Sequence, residues 1–360
     1  MINVTKTFLP PLDEYMHHVK RAFDNNWLSN RGELILELEE KIKEYLGVDN
    51  ILIMNNGTIP LQIALKLLGG GGEIITTPFS YVATSAAIVW ENCTPVFVDI
   101  DPEYLTIDET KIEAAITSKT TCILATHVFG NPCNIEVIDV IAKKHNLKVI
   151  YDAAHCFGTT YKGKSVFQYG DISTTSFHAT KLFHTIEGGA VFCNSPEILK
   201  KIAYMRNFGH DTPESFTELG INGKNSEVHA AMGLCNLKYA DEILAKRKTL
   251  SDRYDFALKC LKHTKPTINQ SAKFNYAYYP VILQNEEIVE RIIYNLNDNQ
   301  IFPRRYFYPS LNTCLPYLEK SVMPNSETLS KKVITLPLYH DLSFEEIDFI
   351  SRIILRTQNN

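Results

Sequence analysis

The sequence predicts an α/β protein: a larger domain built on a mainly parallel sheet with helices on both faces, followed by a smaller C-terminal α+β unit. Three observations point there. From residue 51 to residue 152, short β-branched runs alternate with helical stretches, the rhythm that right-handed crossovers impose on parallel strands. The strand-like runs are almost continuously apolar, as burial on both faces demands. Near residues 240–255 this rhythm gives way to a different texture, and 360 residues of which 45% are hydrophobic can fill two packed cores.

Taken in order, ILIM (51–54) reads as a strand, TIPLQIALKLL as a helix, EIITT (73–77) as a strand and SYVATSAAIVW as a helix. PVFVDI (95–100) is the next strand, and a polar-faced segment from Asp108 to Ser118 stands in the helical place after it. TCILAT (121–126), the helical IEVIDVIAKKH (135–145) and KVIYD (148–152) continue the alternation. DISTTSF (171–177) and AVFCN (190–194) then read as closely spaced strands, with helices over Pro196–Arg206 and from Ser226 onward. A charged, helix-friendly segment (242–262) leads to the strand-like FNYAYYPVIL (274–283), the helical EEIVERIIYNLNDN (286–299) and a Pro- and Tyr-rich loop at 301–317. These textures predict a large domain over 1–245, N-terminal arm included, and a small one over 246–360. Ser343 followed three residues on by Glu346 is a capping box for the last helix.

Composition excludes several functions. With 36 basic against 41 acidic residues, a net charge of −5 and no basic block, the chain lacks the electrostatic footprint of a nucleic-acid binder. The first residues carry no signal-peptide pattern, and the longest apolar candidate, Thr76–Trp90, is interrupted by Pro78, Ser80, Thr84 and Ser85, so no membrane span is expected. Eight cysteines without a C-x-x-C pair, mostly within apolar runs, read as reduced and buried. A cytoplasmic protein is the expectation. No histidine pair has a metal-ligand context, and His17 and His18 fall in a polar helix, so no metal is expected.

The chemistry-bearing residues lie between the strands. Gly69–Gly72 ends a helix and lacks the Lys-Ser/Thr of a phosphate loop, so it reads as a C-cap and turn. In MNNGTIPLQIAL a strand ends, Asn56-Gly57-Thr58 turn the chain and a helix starts with Pro60 in its first turn. That geometry aims unpaired N–H groups and a hydroxyl beyond the sheet edge, an anion site or simply a good N-cap. Asp152 ends an apolar strand, where a carboxylate is expensive to desolvate unless a cation or donors meet it. Lys181, in STTSFHATKLFHTIEGGAVFCN, is flanked by Thr, Leu and Phe rather than by charges. Such a site lowers an amine's pKa and suits it to condense with an aldehyde, although a buried structural lysine would have the same neighbours. An anion cradle, a strand-end Asp and a desolvated Lys together meet the three needs of pyridoxal 5'-phosphate: a phosphate site, a carboxylate for the ring nitrogen and an amine for the aldehyde.

The blocks N-G-T before a helix, TTPFSYVAT, PVFVDID, HVFGNPC, YDAAH, SFHATK, EGGAV and LPLYHDLS occur here in the order found in the DegT/DnrJ/StrS-type nucleotide-sugar aminotransferases, which the chain resembles from about residue 10 to its C-terminus. The resemblance implies the type I aminotransferase fold. It implies that Lys181 carries the cofactor and moves the proton, that Asp152 partners the pyridine nitrogen, and that His155, where many relatives have Gln, contacts the phenolic oxygen. By the same likeness Gly57, Thr58 and Ser176 hold the phosphate, Tyr81 stacks on the ring, and Asn222 reaches the phosphate of a neighbouring subunit, which makes the working unit a homodimer. Ile221-Asn222-Gly223-Lys224 departs from the family's usual Y-N-Y/F-R, so Lys224 has no secure counterpart. INGKNSE and RRYFYPSLN (304–312) resemble the subgroup that makes 4-amino-4,6-dideoxyglucose nucleotides.

That subgroup moves the amino group of L-glutamate to C4 of dTDP-4-keto-6-deoxy-D-glucose for O-antigen synthesis. A 3-keto or UDP-linked substrate is the alternative, and a non-catalytic cofactor-binding protein is the alternative from another class. Dehydratases of the family replace the lysine with histidine, so Lys181 argues against them. A diphosphate substrate meeting a net-acidic protein needs local cations or donors, and Arg31, His178, Lys224, Arg304, Arg305 and Tyr306 are the candidates.

Overall fold

The computed structural model describes residues 1–359. Seven strands form the central sheet: β1 Ile51–Met54, β2 Glu73–Thr76, β3 Thr94–Phe97, β4 Thr120–Thr126, β5 Lys148–Asp152, β6 Ile172–Ser176 and β7 Gly189–Phe192. Their order across the sheet is β1-β7-β6-β5-β4-β2-β3. Every neighbouring pair is parallel except those made by β7, which runs antiparallel to both β1 and β6. The carboxyl ends of the other six strands therefore share one edge.

Alternate residues of each strand enter different cores. Ile51, Ile53, Ile75, Ile123, Val149 and Tyr151 belong to one apolar cluster, while Leu52, Met54, Ile74, Cys122, Leu124 and Ile150 belong to another. This double burial is why the strands read as unbroken apolar runs. Helices α3 Thr58–Leu68, α4 Val82–Trp90 and α5 Ile135–His145 follow β1, β2 and β4 as crossovers. The N-terminal helices α1 Leu12–Asp24 and α2 Glu33–Leu46 pack on α7 Glu227–Lys238; α6 Pro196–Met205 follows β7.

Strand β1 is a sheet edge whose outward side is covered at its carboxyl-terminal half. The Ile53 N–H donates to Glu39 Oε1 at 3.0 Å, the Ile53 carbonyl accepts from Arg206, and the Asn55 N–H donates to the Gly223 carbonyl at 3.1 Å. Sealing an edge in this way removes a template for unwanted pairing.

A smaller antiparallel pair, β8 Tyr279–Ile282 with β9 Val333–Leu336, packs with α9 Glu286–Asp298, α10 Phe344–Asn359 and part of α8 Ala240–Ala257. They enclose a separate cluster of Leu250, Tyr254, Val281, Ile292, Ile334 and Ile350. Helix α8 runs without a break through residues 245 and 246. The capping box forms at α10: the Ser343 N–H donates to Glu346 Oε2 at 2.8 Å and the Glu346 N–H to Ser343 Oγ at 3.1 Å.

Three local readings change. The segment 108–118 forms only two single turns, Glu109–Lys111 and Glu113–Ala115, with Ile112 buried and Ala115 and Ile116 packed partly against the core. The strand expected over 95–100 stops at Phe97; beyond it the Asp99 carboxylate accepts from the Asn325 and Ser326 amides, each at 2.9 Å. In FNYAYYPVIL only 279–282 is strand. Asn275 bonds the carbonyls of His155 and Phe157 and the Ala277 amide, which pins the preceding residues as a loop. All eight cysteines are free thiols; Cys260 and Cys314 are exposed and the other six buried. Among the described residues no helix is long and apolar enough to cross a membrane.

Candidate active site

A cavity of about 340 Å³ opens over the shared carboxyl edge of the sheet. Its walls bring together Gly57, Thr58, Tyr81, Asp152, His155, Ser176, His178, Lys181 and Tyr306. Nine of the residues expected from the sequence thus converge, although they span most of the chain. The antiparallel course of β7 explains part of this. Gly189 pairs with both Met54 and Ser176, so one residue holds the ends of β1 and β6 side by side. An added Cβ at Gly57 would lie 2.7 Å from Ser176 Cβ, closer than such atoms approach, so glycine is required where loop and strand meet.

The Asn56-Gly57-Thr58 turn differs in one respect from the expectation of free amides. Asn56 Oδ1 accepts from the Thr58 and Ile59 N–H groups at 2.8 and 2.9 Å and caps the helix itself. The Gly57 amide, the Thr58 hydroxyl and the Ser176 hydroxyl are the donors that this corner of the cavity offers a phosphate.

Asp152 is 7% exposed. Its Oδ2 accepts from Thr84 Oγ1 at 2.7 Å and its Oδ1 from the Ala154 amide at 3.2 Å. Burial raises its pKa, while Thr84, Ala154 and the Lys181 charge oppose the rise. No cation among the described residues lies within ion-pairing distance of it. Lys181 is half-buried by surface, with its amine in densely packed surroundings; desolvation lowers its pKa against the opposing pull of Asp152, Tyr306 and Tyr81. His155 is driven well below its ordinary value by burial and by Lys181, so its imidazole is neutral. Its Nδ1 accepts from the Phe129 amide at 3.2 Å, which leaves the ring proton on Nε2 as a donor. The Phe307 ring lies parallel to it, 6.1 Å away, and Tyr278 packs at 4.7 Å.

At the mouth, His178 Nδ1 accepts from the Thr180 amide at 3.2 Å, and its Nε2 lies 3.5 Å from Glu187 Oε1. Sequence reasoning passed over Thr84, His127, Glu187, Tyr278 and Phe307 as site residues. Thr84 had a signal, since it and Ser85 place hydroxyls inside the otherwise apolar helical run 82–90. Tyr278 and Phe307 had none, because they arrive from the far end of the chain.

Five expected residues do not line the cavity. Arg31 donates to the buried Glu39 at 3.0 and 2.8 Å. Arg305 is held by Glu286 at 2.9 Å and lies over the Tyr308 ring, and Lys224 lies over Phe208. Arg304 is exposed, bridging Thr335 through its backbone. Asn222 is exposed and bridges Asn207.

The arrangement fits pyridoxal phosphate. A desolvated carboxylate without a cation, an amine of lowered pKa, a neutral imidazole donor and a corner of amide and hydroxyl donors kept open by Gly57 stand around one cavity. His127 adds a buried Nε2 on the same wall that has no partner among the described residues.

The family model for the DegT/DnrJ/EryC1/StrS aminotransferases matches residues 12–355. A Shigella dysenteriae protein named dTDP-4-amino-4,6-dideoxy-D-glucose transaminase is 42% identical, over 97% of each chain. An Escherichia coli protein of the same name is 40% identical, over 98% of each. The crystal structure of DesI in the presence of its TDP-sugar product matches with a TM-score of 0.93 at 29% identity, covering 99% of this chain and 93% of that one. Matched over nearly its whole length in sequence and in fold, the chain belongs to the DegT/DnrJ/EryC1/StrS aminotransferase family and is a pyridoxal-phosphate-dependent aminotransferase.

Proposed function

We propose that the protein moves the amino group of L-glutamate to C4 of dTDP-4-keto-6-deoxy-D-glucose, giving dTDP-4-amino-4,6-dideoxy-D-glucose. The observation that carries this reading is the 42% and 40% identity, over almost entire chains, to two transaminases named for that product. When bound, pyridoxal phosphate supplies an electron-withdrawing ring that accepts the charge left as a proton leaves the carbon bearing the amine. Lys181 is the residue we assign to moving that proton, because desolvation keeps a fraction of its amine neutral and able to act as a base. Asp152 keeps the ring nitrogen protonated, and the Nε2–H of His155 donates to the phenolic oxygen. Gly57, Thr58 and Ser176 receive the phosphate, and Tyr81 covers one ring face.

We assign Asn222, exposed and outside its own cavity, to the phosphate of a neighbouring copy in a homodimer. His178 and Tyr306, on the cavity wall, are assigned to the sugar. Arg31, Lys224, Arg304 and Arg305 are assigned to the diphosphate, each reached from a protomer surface rather than from the cavity lining. A large domain over 1–245 and a small one over 246–360, whose last residue lies outside the described ones, a cytoplasmic location and a role in O-antigen synthesis complete the proposal. The test is incubation with L-glutamate and dTDP-4-keto-6-deoxy-D-glucose, followed by NMR of the product. A new amine at C4 supports the reading. An amine at C3 of a 3-keto substrate, preference for a UDP-linked sugar, or no turnover by cofactor-loaded protein overturns it.

A further inference from the structure

Asp152 stands at the end of a buried line of hydroxyl groups. Thr126 Oγ1 lies 3.2 Å from Ser80 Oγ, Ser80 Oγ lies 2.8 Å from Thr84 Oγ1, and Thr84 Oγ1 lies 2.7 Å from Asp152 Oδ2. The three residues are 5%, 2% and 0% exposed, and Ser80 and Thr126 stand on the cavity wall. They come from three places in the sequence: the end of β4, the turn before α4, and the first turn of α4.

Each hydroxyl has one proton, and this fixes the direction of the line. Thr84 gives its proton to the Asp152 carboxylate. The contact between Thr84 and Ser80 must then use the proton of Ser80, and the contact between Ser80 and Thr126 must use that of Thr126. Three dipoles therefore point the same way, toward Oδ2, and each donor is strengthened by the one behind it. Reversing the line would leave the Thr126 proton aimed at no acceptor among the described residues, so the arrangement favours an anionic carboxylate.

We infer that Thr84, backed by Ser80 and Thr126, is a positioning residue of the transamination: it fixes the Asp152 carboxylate and holds it anionic against its burial. The inference rests on the assignment of Asp152 to the cofactor's ring nitrogen. Burial alone would move the shared proton from the ring nitrogen to the carboxylate and weaken the ring as an electron acceptor; the hydroxyl line opposes that transfer. Lys181 and Cys156 are the other titratable groups that interact with Asp152, and the neutral imidazoles of His155 and His127 complete the surrounding wall. None of these replaces a donor at Oδ2, because the partners recorded for the carboxylate are Thr84 and the Ala154 amide.

The test uses holoenzyme carrying Thr84→Val, Thr84→Ser, Ser80→Ala or Asp152→Asn. Two quantities are read: the single-turnover rate with glutamate, and the pH midpoint of the bound cofactor's visible absorbance. Thr84→Val should slow the glutamate step about 10- to 100-fold, with KM for glutamate little changed, the loss expected for a hydrogen bond to a charged group. The absorbance midpoint should rise, because a less protonated ring leaves the imine nitrogen more basic. Thr84→Ser should return both readouts close to wild type, and Ser80→Ala should give a smaller change in the same direction. Wild-type rate and midpoint in Thr84→Val, or a Thr84→Ser variant no better than the valine, would overturn the inference. If the valine variant does not fold, Ser80→Ala and Thr84→Ser decide it by the same readouts. Asp152→Asn separates the two levels. Wild-type behaviour there defeats the assignment of Asp152, whereas a defect there without one in Thr84→Val defeats only the positioning role.

Discussion

Replacing Gly57 by Ala tests the cavity where its geometry is tightest. The new methyl would meet Ser176 Cβ at 2.7 Å and Ser176 Cα and Oγ at 3.1 Å. Relaxed carbon contacts begin at about 3.5 Å, so the turn and the end of β6 must part by roughly 0.8 Å. Neither side yields cheaply, since β6 is bonded to β5 and β7 and the turn is capped by Asn56. Overpacking of this kind costs about 1–3 kcal/mol. If all of it falls on cofactor binding, affinity should weaken about 5- to 150-fold, because each 1.4 kcal/mol is worth about a factor of ten, and any share borne by the fold appears as lost melting temperature instead. Absorbance titration of apoprotein with pyridoxal phosphate measures the affinity, and thermal melting of the same apoprotein measures what falls on the fold. Adding Ser176→Gly removes the two side-chain atoms of the clash, so the double variant should recover part of the melting temperature. Wild-type affinity and melting in Gly57→Ala alone would refute the claim that close approach, rather than turn conformation, demands glycine there.

Three further outcomes are expected. Burial holds the Lys181 pKa below 10.5, so the folded apoprotein carries fewer protons than the unfolded chain in the window beneath that value. Its stability should therefore rise with pH across that window. Lys181→Met should remove that slope, along with turnover and the covalent adduct seen after borohydride reduction; melting curves from pH 7 to 10 and peptide mapping check both. Glu39→Ala should destabilise by about 3–5 kcal/mol in urea unfolding, since it strands the Arg206 guanidinium and the Ile53 amide in the interior. Ser343→Ala should lower stability by about 1 kcal/mol through loss of the cap of α10, with the glutamate reaction unchanged at assay temperature.

The central sheet was legible because double-sided burial writes itself into each strand as a continuous apolar run. The spans 51–54, 135–145 and 148–152 coincide with the elements formed. That Gly57, Ser176, Asp152 and Lys181 would meet at one cavity was legible because each occupies a strand end or the loop after one, in a local context that ordinary surface residues lack. What escaped depends on distant partners. Asn275 converts an apparent strand into a loop by bonding carbonyls more than a hundred positions away. The ion pairs that engage Arg31 and Arg305, with the buried Glu39 and with Glu286, are likewise set only by the packed fold.

The sealed edge at β1 has a consequence for how the chain is made. Strand β1 leaves the ribosome early, yet its one sheet neighbour among the described residues is β7, which follows roughly 130 residues later, about 7–25 s at ordinary elongation rates. Arg206 and Gly223, which close its outer side, come later still. A four-residue strand with every side chain apolar must wait through that interval without its neighbour, while β2 to β6 can already assemble in order. Nascent chains from which residue 189 has not yet emerged should therefore offer the 51–54 segment to proteases and holding chaperones, and chains from which Gly223 has emerged should not.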